Sequence, residues 1–159
     1  MTVICAWVDE SRAVMLGDSC VSEGGVRIVS RSPKVSVAGQ WLVGAAGDAG
    51  ACTALLAARI PTEPRRMLEV LAEVDGDWDA LLARPGELWV ASSGGELEQL
   101  PGPWWAIGSG GEIALGALAA LRRRTPEATL RAAAGIVARL RSDVCGPMCV
   151  VEKRARPEK

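Results

Sequence analysis

TVICAWVDESRAVMLGD, residues 2–18, decides the fold of this chain, and it reads as two β-strands joined by a tight turn. β-Branched and aromatic side chains dominate residues 2–8, and a charged turn at residues 9–12 ends that strand. A second apolar strand follows at residues 13–18. The chain is therefore expected to begin inside a sheet.

Thr2 is the residue of this stretch that could act as a nucleophile. Only Met1 precedes it, and a small second residue normally allows the initiator methionine to be removed. Removal would leave a hydroxyl and a free α-amine on one residue. Such an amine titrates at about 7.7–8.0, and threonine with its own terminal amine is a known pairing of nucleophile and base. The simpler alternative is a strand that happens to start with threonine.

The composition narrows the possible chemistry. The 159 residues, 49% of them hydrophobic, suit a single domain over residues 1–159 with a substantial core. A net charge of −1 gives no basic surface for nucleic acid, and the run at residues 122–124 is best explained as the C-terminal end of a helix. The chain has no histidine, which excludes Ser-His-Asp and Cys-His catalysis. A lysine, a carboxylate, a metal or an amine terminus must then activate any nucleophile.

The five cysteines lie mostly among apolar neighbours, and their odd number suggests reduced, packed thiols. No signal peptide and no apolar run long enough to span a bilayer is present, so a cytoplasmic protein without membrane contact is expected. The spacing of Cys145 and Cys149 would suit a metal, but no partner pair of cysteines or histidines accompanies it.

The remaining pattern predicts strands and helices in alternating groups. Strands are expected at residues 26–29, 34–38 and 41–46, with turns at Gly24-Gly25 and Gly39-Gln40, so that five strands precede any helix. Further strands are expected at 88–92, 97–100, 104–107 and 148–152, and a polar tail at 153–159. Helices are expected at 51–59, from a Thr62 cap to Val74 with a continuation over 78–83, at 112–123, and from a Thr125 cap with Pro126 in the first turn.

Strands, two helices, strands, two helices and a last strand is the order expected for two stacked sheets with helices on both outer sides. The same order also fits other α+β folds.

Six short segments, spread over nearly the whole chain, match a known family. They are Thr2-Val3-Ile4, Met15-Leu16-Gly17-Asp18, Lys34-Val35, Gly44-Ala45-Ala46-Gly47, Ala106-Ile107-Gly108-Ser109-Gly110-Gly111 and Ser142-Asp143-Val144-Cys145. With these segments the chain resembles the threonine peptidases of the proteasome β-subunit superfamily, and most closely the bacterial HslV-type peptidase subunit of an ATP-dependent protease. The resemblance implies an α+β fold, the four-layer αββα sandwich of N-terminal nucleophile hydrolases.

The resemblance also implies roles for individual residues. Thr2 would attack a peptide carbonyl through its hydroxyl, with its own amine taking the proton through water. Lys34 matches a lysine whose charge favours the alkoxide and lowers the proton affinity of the amine, and Asp18 matches the acid that holds this lysine. Judged singly, Asp18 and Lys34 would more often be a surface ion pair.

Gly47 matches the glycine whose backbone N–H receives the tetrahedral oxyanion, and its alternative reading is a tight strand-to-helix turn. Ser109 and Asp143 match polar residues that support the amine and the hydroxyl. Their alternatives are a helix-entry turn and an acid at the end of a helix.

The family further implies partners and a cation. It implies protein or peptide substrates, a homo-oligomeric ring that hides the threonines, and a separate ATP-dependent unfoldase. No cofactor is required, but a monovalent cation such as sodium would be held by the backbone carbonyls of Ser142, Cys145 and Met148. A second function remains open beside the peptidase, namely a catalytically inactive ring or scaffold protein with the same fold.

Overall fold

A computed structural model of the chain describes residues 2–23, 26–29, 32–121 and 125–155. At residues 22, 23, 26 and 27 it describes the backbone only. The strands are β1 Ile4–Asp9, β2 Arg12–Gly17, β3 Cys20–Glu23, β4 Val26–Val29, β5 Val35–Ala38, β6 Trp41–Gly47, β7 Trp78–Arg84, β8 Glu87–Ser92, β9 Leu97–Gln99, β10 Trp104–Ile107 and β11 Cys149–Arg154. The helices are α1 Ala49–Ala57, α2 Pro64–Leu71, α3 Gly111–Ala120 and α4 Pro126–Leu140.

The first sheet has the strand order β10-β1-β2-β11, with every neighbouring pair antiparallel. The predicted pairing of the first two strands is confirmed, with Ile4 opposite Gly17. On its other side, Ile4 lies opposite Ile107 of β10. Because both flanking strands reach this register, Thr2 lies at the end of the sheet between the end of β2 and the turn that follows β10.

The second sheet runs β5-β6-β7-β8-β9, and β3 and β4 form a separate two-stranded ribbon. The hairpin predicted across Gly39-Gln40 is confirmed as β5 and β6. The helical continuation predicted over 78–83 is wrong, because this segment is β7 and pairs with both β6 and β8. Its run of buried apolar side chains, residues 80–83, fits a strand covered on both faces.

Three hydrophobic clusters hold the elements together. One lies between the first sheet and helices α3 and α4 and includes Leu16 and Leu118. A second fills the space between the two sheets and includes Met15 and Leu81. The third lies between the second sheet and helices α1 and α2 and includes Leu55. Both faces of the central strands are therefore excluded from water, and burial of this apolar surface is the main stabilising contribution.

Gly44 lies where the two sheets pack closely against each other. A Cβ atom at this position would lie 2.6 Å from Ile4 Cγ2 and 2.9 Å from Met15 Sδ, which are both side chains of the first sheet. The lack of a side chain at Gly44 thus allows β6 to pack directly against β1 and β2.

Several predicted ends and caps differ from the structure. The Thr62 cap is wrong, since α2 begins after Glu63, which makes no side-chain capping bond. The Thr125 cap is confirmed, because its hydroxyl accepts a hydrogen bond from the Ala128 amide at 3.2 Å. In the described ranges, no helix is both long and apolar enough to cross a membrane.

Among the described residues, six strands rather than five precede the first helix, since β3 was not predicted. The last strand extends to Arg154, beyond the expected start of the polar tail, because Lys153 and Arg154 pair with Ala13 and Arg12 of β2. The predictions for Met1, the turn at 24–25, the arginines at 122–124 and the tail at 156–159 lie outside the described residues.

Candidate active site

Thr2 is fixed by the turn between β10 and α3. Its backbone N–H donates to Ser109 Oγ at 3.1 Å, and its carbonyl accepts the Gly110 amide at 3.1 Å. Gly108 has a φ of 85°, and a Cβ there would lie 2.5 Å from the Thr2 carbonyl oxygen. Only glycine allows this close approach, so the turn holds Thr2 through backbone contacts while the residue remains 8% exposed.

Asp18 follows β2 directly and is completely buried. Its carboxylate accepts the Val3 amide at 2.9 Å on Oδ1 and the Cys20 amide at 3.0 Å on Oδ2. A carboxylate can remain in the protein interior when hydrogen bonds and an opposite charge compensate for lost hydration. Here the backbone supplies two such bonds, and a lysine supplies the charge.

That lysine is Lys34, which immediately precedes β5 and is only 12% exposed in its side chain. Its Nζ donates to Asp18 Oδ1 at 3.0 Å and to Thr2 Oγ1 at 2.7 Å. The structure thus brings together Thr2, Asp18 and Lys34. In the sequence, Lys34 is 32 residues from Thr2 and 16 residues from Asp18. A cation in hydrogen-bond contact with the hydroxyl stabilises negative charge on that oxygen.

Gly47 ends β6 on the opposite sheet and has a φ of 129°. A Cβ at this position would lie 2.2 Å from the Asp77 carbonyl oxygen and 2.7 Å from Trp78 Cα. The position therefore requires glycine for backbone reasons alone, as the alternative reading of a tight turn proposed. It also borders the same open space as Thr2.

Two cavities meet at Thr2 and Gly47. The larger, ≈ 690 Å³, has Lys34 on its wall together with Ala45, Cys52 and Leu56. A smaller one of ≈ 310 Å³ is lined by the turn at Gly108 and Ser109 and by Asp77 and Asp79. Partial burial, with the nearby charges of Asp77 and Glu96, raises the pKa of Asp79. Thr2 therefore borders two cavities whose linings differ in polarity.

Asp143 is paired with Arg141 in the structure. Its two carboxylate oxygens accept Arg141 Nε and an Arg141 terminal nitrogen, each at 3.0 Å. These hydrogen bonds from Arg141 lower the pKa of Asp143. Within the described ranges no hydrogen bond joins Asp143 to Thr2, although the positive charge of the N-terminus also contributes to lowering the pKa of Asp143. Its role there stays a prediction.

Ser19 was not predicted as a site residue, yet it links the site to the segment before β11. It is buried, its amide donates to the Cys145 carbonyl at 3.3 Å, and its hydroxyl donates to the Pro147 carbonyl at 2.7 Å. Its position directly after Asp18 is the only sequence signal that could have indicated it. The hydrogen bond from the Ser19 amide occupies one lone pair of the Cys145 carbonyl oxygen, which is one of the predicted cation ligands. Carbonyl oxygens are ligands that suit a hard cation such as sodium. The cation site of Ser142, Cys145 and Met148 stays a prediction.

Two thiols complete the surroundings of the site. Burial, followed by hydrogen bonding to the Cys145 thiol, raises the pKa of Cys20 to about 11. Cys20 also lines the larger cavity together with Thr2. In the described part of the chain, no group of three or more His, Cys, Asp or Glu side chains is placed to bind a metal ion.

Comparison with known proteins shows the fold. No family model matches the sequence, and no curated protein matches it significantly. Among solved structures, BPH from Thiobacillus denitrificans in complex with epoxomicin is similar with a TM-score of 0.81 and 18% identity, over 98% of this chain and 100% of that one. Eukaryotic HslV from Trypanosoma brucei is similar with a TM-score of 0.81 and 19% identity, over 96% of this chain and 99% of that one. A further structure of the Thiobacillus BPH is similar with a TM-score of 0.75 and 19% identity, over 98% of this chain and 100% of that one. The chain has an HslV-type proteasome β-subunit fold, in the α+β class.

Proposed function

We propose that this chain is a threonine endopeptidase subunit that hydrolyses peptide bonds with Thr2 after removal of Met1. The observation that carries the proposal is the 2.7 Å hydrogen bond from Lys34 Nζ to Thr2 Oγ1, with Lys34 held in turn by buried Asp18. A buried lysine directed at a hydroxyl at the edge of two cavities has a clear use in catalysis. The likeness to HslV adds support at the level of the fold.

In the proposed reaction, Thr2 Oγ1 forms a bond to the substrate carbonyl carbon, and its proton passes to the α-amine freed by loss of Met1. The Gly47 N–H receives the oxyanion, while Lys34 stabilises the hydroxyl oxygen as it becomes negative. The C–N bond then breaks, and the leaving amine takes a proton from the ammonium of Thr2. Water hydrolyses the resulting ester by the same path and restores the hydroxyl.

We further propose the four-layer αββα arrangement, a cytoplasmic location, a closed homo-oligomeric ring and delivery of protein substrates by an ATP-driven unfoldase. The three hydrophobic clusters support the four-layer arrangement, because each cluster would fill the space between two adjacent layers. A ring would restrict access to an otherwise exposed nucleophile. Light scattering tests the ring, and a monomer throughout the micromolar range would contradict it.

Intact-mass measurement of natively expressed protein tests the first requirement, which is a Thr2 terminus. Turnover of a fluorogenic peptide tests the second. Thr2→Ala should abolish turnover, whereas Thr2→Ser keeps a hydroxyl and should retain part of it. Epoxomicin, which is bound in the Thiobacillus BPH complex, should bind the wild type and not Thr2→Ala.

The scaffold function predicts the same assembly but no peptide turnover and no epoxomicin binding by the wild type. A protein that keeps Met1, or a wild type that gives no turnover, would contradict catalysis by Thr2. The inactive ring protein would then be the better description of a chain that still assembles.

A further inference from the structure

Two cysteines from distant parts of the sequence lie near Asp18, the buried acid of the site, and Cys20 is two residues after it. Cys20 begins β3, and Cys145 lies in the segment between α4 and β11. The Ser19 amide donates to the Cys145 carbonyl at 3.3 Å, and the Ser19 hydroxyl donates to the Pro147 carbonyl at 2.7 Å. These two bonds hold the backbones of both segments side by side. Besides burial, the Cys145 side chain is also one of the causes that raise the pKa of Cys20, as expected for two neighbouring thiols.

We propose that Cys20 and Cys145 form a reversible disulfide when the protein meets an oxidant, and that this bond lowers the activity of the adjacent site. Both thiols are free in the structure described here. The oxidant is a low-molecular-weight disulfide of the glutathione type, and the pair constitutes a modification site separate from the groups that react with substrate.

The chemistry balances as two thiol–disulfide exchanges. The half-buried Cys145 thiol loses its proton and attacks one sulfur of the oxidant, which releases one small thiol and leaves a mixed disulfide on Cys145. Cys20 then loses its proton and attacks Cys145 Sγ, which expels the second small thiol. The two protons end on the two released thiols, and the oxidant's S–S bond is reduced as the protein's forms.

Burial sets this order of events. Cys20 is 0% exposed and cannot meet a bulky oxidant directly, whereas Cys145 is partly exposed. Cys5 is also 0% exposed, and burial raises its pKa to about 12, so it should stay inert. Cys52 and Cys149 are partly exposed and serve as internal comparisons. We expect each of them to form a mixed disulfide with the oxidant and no disulfide within the protein.

The functional consequence follows from what the Cys20 backbone holds. Its amide donates to Asp18 Oδ2 at 3.0 Å, and Asp18 Oδ1 holds Lys34. A disulfide has an S–S length of about 2.0 Å, much shorter than any contact between two free thiols, so the two sulfurs must move toward each other for the bond to form. Drawing Cys20 toward Cys145 would shift the hydrogen bond that fixes Asp18 and, through it, the lysine at the Thr2 hydroxyl.

The experiment incubates the full chain with oxidised glutathione and maps cysteine linkages by mass spectrometry without reduction. We expect a peptide joining Cys20 to Cys145 in the wild type and in the control Cys149→Ser, and its loss on adding dithiothreitol. Cys145→Ser should give no linked peptide and leave Cys20 unmodified. Glutathione on Cys145 with no link to Cys20, or a link between other cysteines, would overturn the disulfide.

The second measurement rests on the proposed peptidase function. Oxidation should lower peptide turnover by about tenfold or more in the wild type, as for partial loss of transition-state electrostatics, and reductant should restore it. Cys145→Ser, compared with its own reduced sample, should show no change in turnover on adding the same oxidant. Equal turnover of linked and reduced protein would overturn the effect on activity. Absence of turnover in reduced wild type would instead refute the peptidase function, while the linkage map still decides the disulfide.

Discussion

Replacing Lys34 with methionine tests how the buried charges stabilise each other without relying on catalysis. Methionine has a similar length and packs well, so the change removes the ammonium while leaving little cavity. Asp18 would then be a completely buried carboxylate that keeps only its bonds from the Val3 and Cys20 amides. Thr2 would lose the partner of its hydroxyl.

The magnitude follows from these remaining contacts. Removing one partner of a buried ion pair costs about 3–5 kcal/mol of the free energy of unfolding. Because two backbone amides still compensate Asp18, we expect the lower end of that range for Lys34→Met. Asp18→Asn should cost about as much, since a side-chain amide places an NH2 group against a backbone N–H that needs an acceptor.

The double variant provides the decisive comparison. It leaves no buried charge, so its cost should fall short of the sum of the two single costs by about 2 kcal/mol. Urea unfolding followed by tryptophan fluorescence measures all four proteins at one concentration, and the chain contains six tryptophans. Lys153→Met, which removes a bond to the Gly39 carbonyl at the surface, is the matched control and should cost under about 1 kcal/mol. Additive single costs would refute the reasoning.

Three further predictions concern the surroundings of the site. Gly108→Ala should destabilise the protein by about 1–3 kcal/mol and lower turnover, because of its positive φ and the 2.5 Å approach to the Thr2 carbonyl; the control Gly116→Ala meets nothing within 4 Å and should stabilise α3. Since Arg141 lowers the pKa of Asp143, the pair stabilises the fold above the unfolded-state pKa of about 3.9 and this contribution is lost as the pH falls through the lower folded-state pKa. Arg141→Gln should therefore lose less stability than the wild type between neutral pH and strongly acidic pH in urea unfolding, and equal losses would contradict this. Replacing sodium with a bulky organic cation at constant ionic strength should lower thermal stability and peptide turnover if carbonyls near Cys145 bind the ion, and no change in either would rule the site out.

The sequence predicted the local elements well where local chemistry decides them. The first two strands, the hairpin around Gly39 and the Thr125 cap depend on neighbouring residues, and all three are present. It failed at β7, where alanine and leucine favour a helix by intrinsic propensity. The pairing with β6 and β8 overrides that propensity, and only the short apolar run between Gly76 and Pro85 hinted at a buried strand.

The candidate site shows the same division. The spacing shared with a known family led to Thr2, Asp18 and Lys34, and the structure places these three side chains in contact. Ser19 could not be found this way, because its bonds reach residues more than 120 positions later in the chain. The Arg141 partner of Asp143 was also missed, since a pattern of residue types carries no information on which carboxylate a given arginine will bind.

The close approach at Gly44 has a consequence for how variants of this protein will behave. Thr2 precedes a strand of one sheet and Gly47 ends a strand of the other, so the packing of Gly44 against Ile4 and Met15 contributes to their separation. The spacing of the two sheets thus affects the geometry of the reacting groups. A random screen for lost activity should therefore return substitutions at such interior positions as well as at the reacting groups, in proteins that remain folded. Conversely, paired size changes across this contact offer a way to adjust the gap without altering any group that reacts.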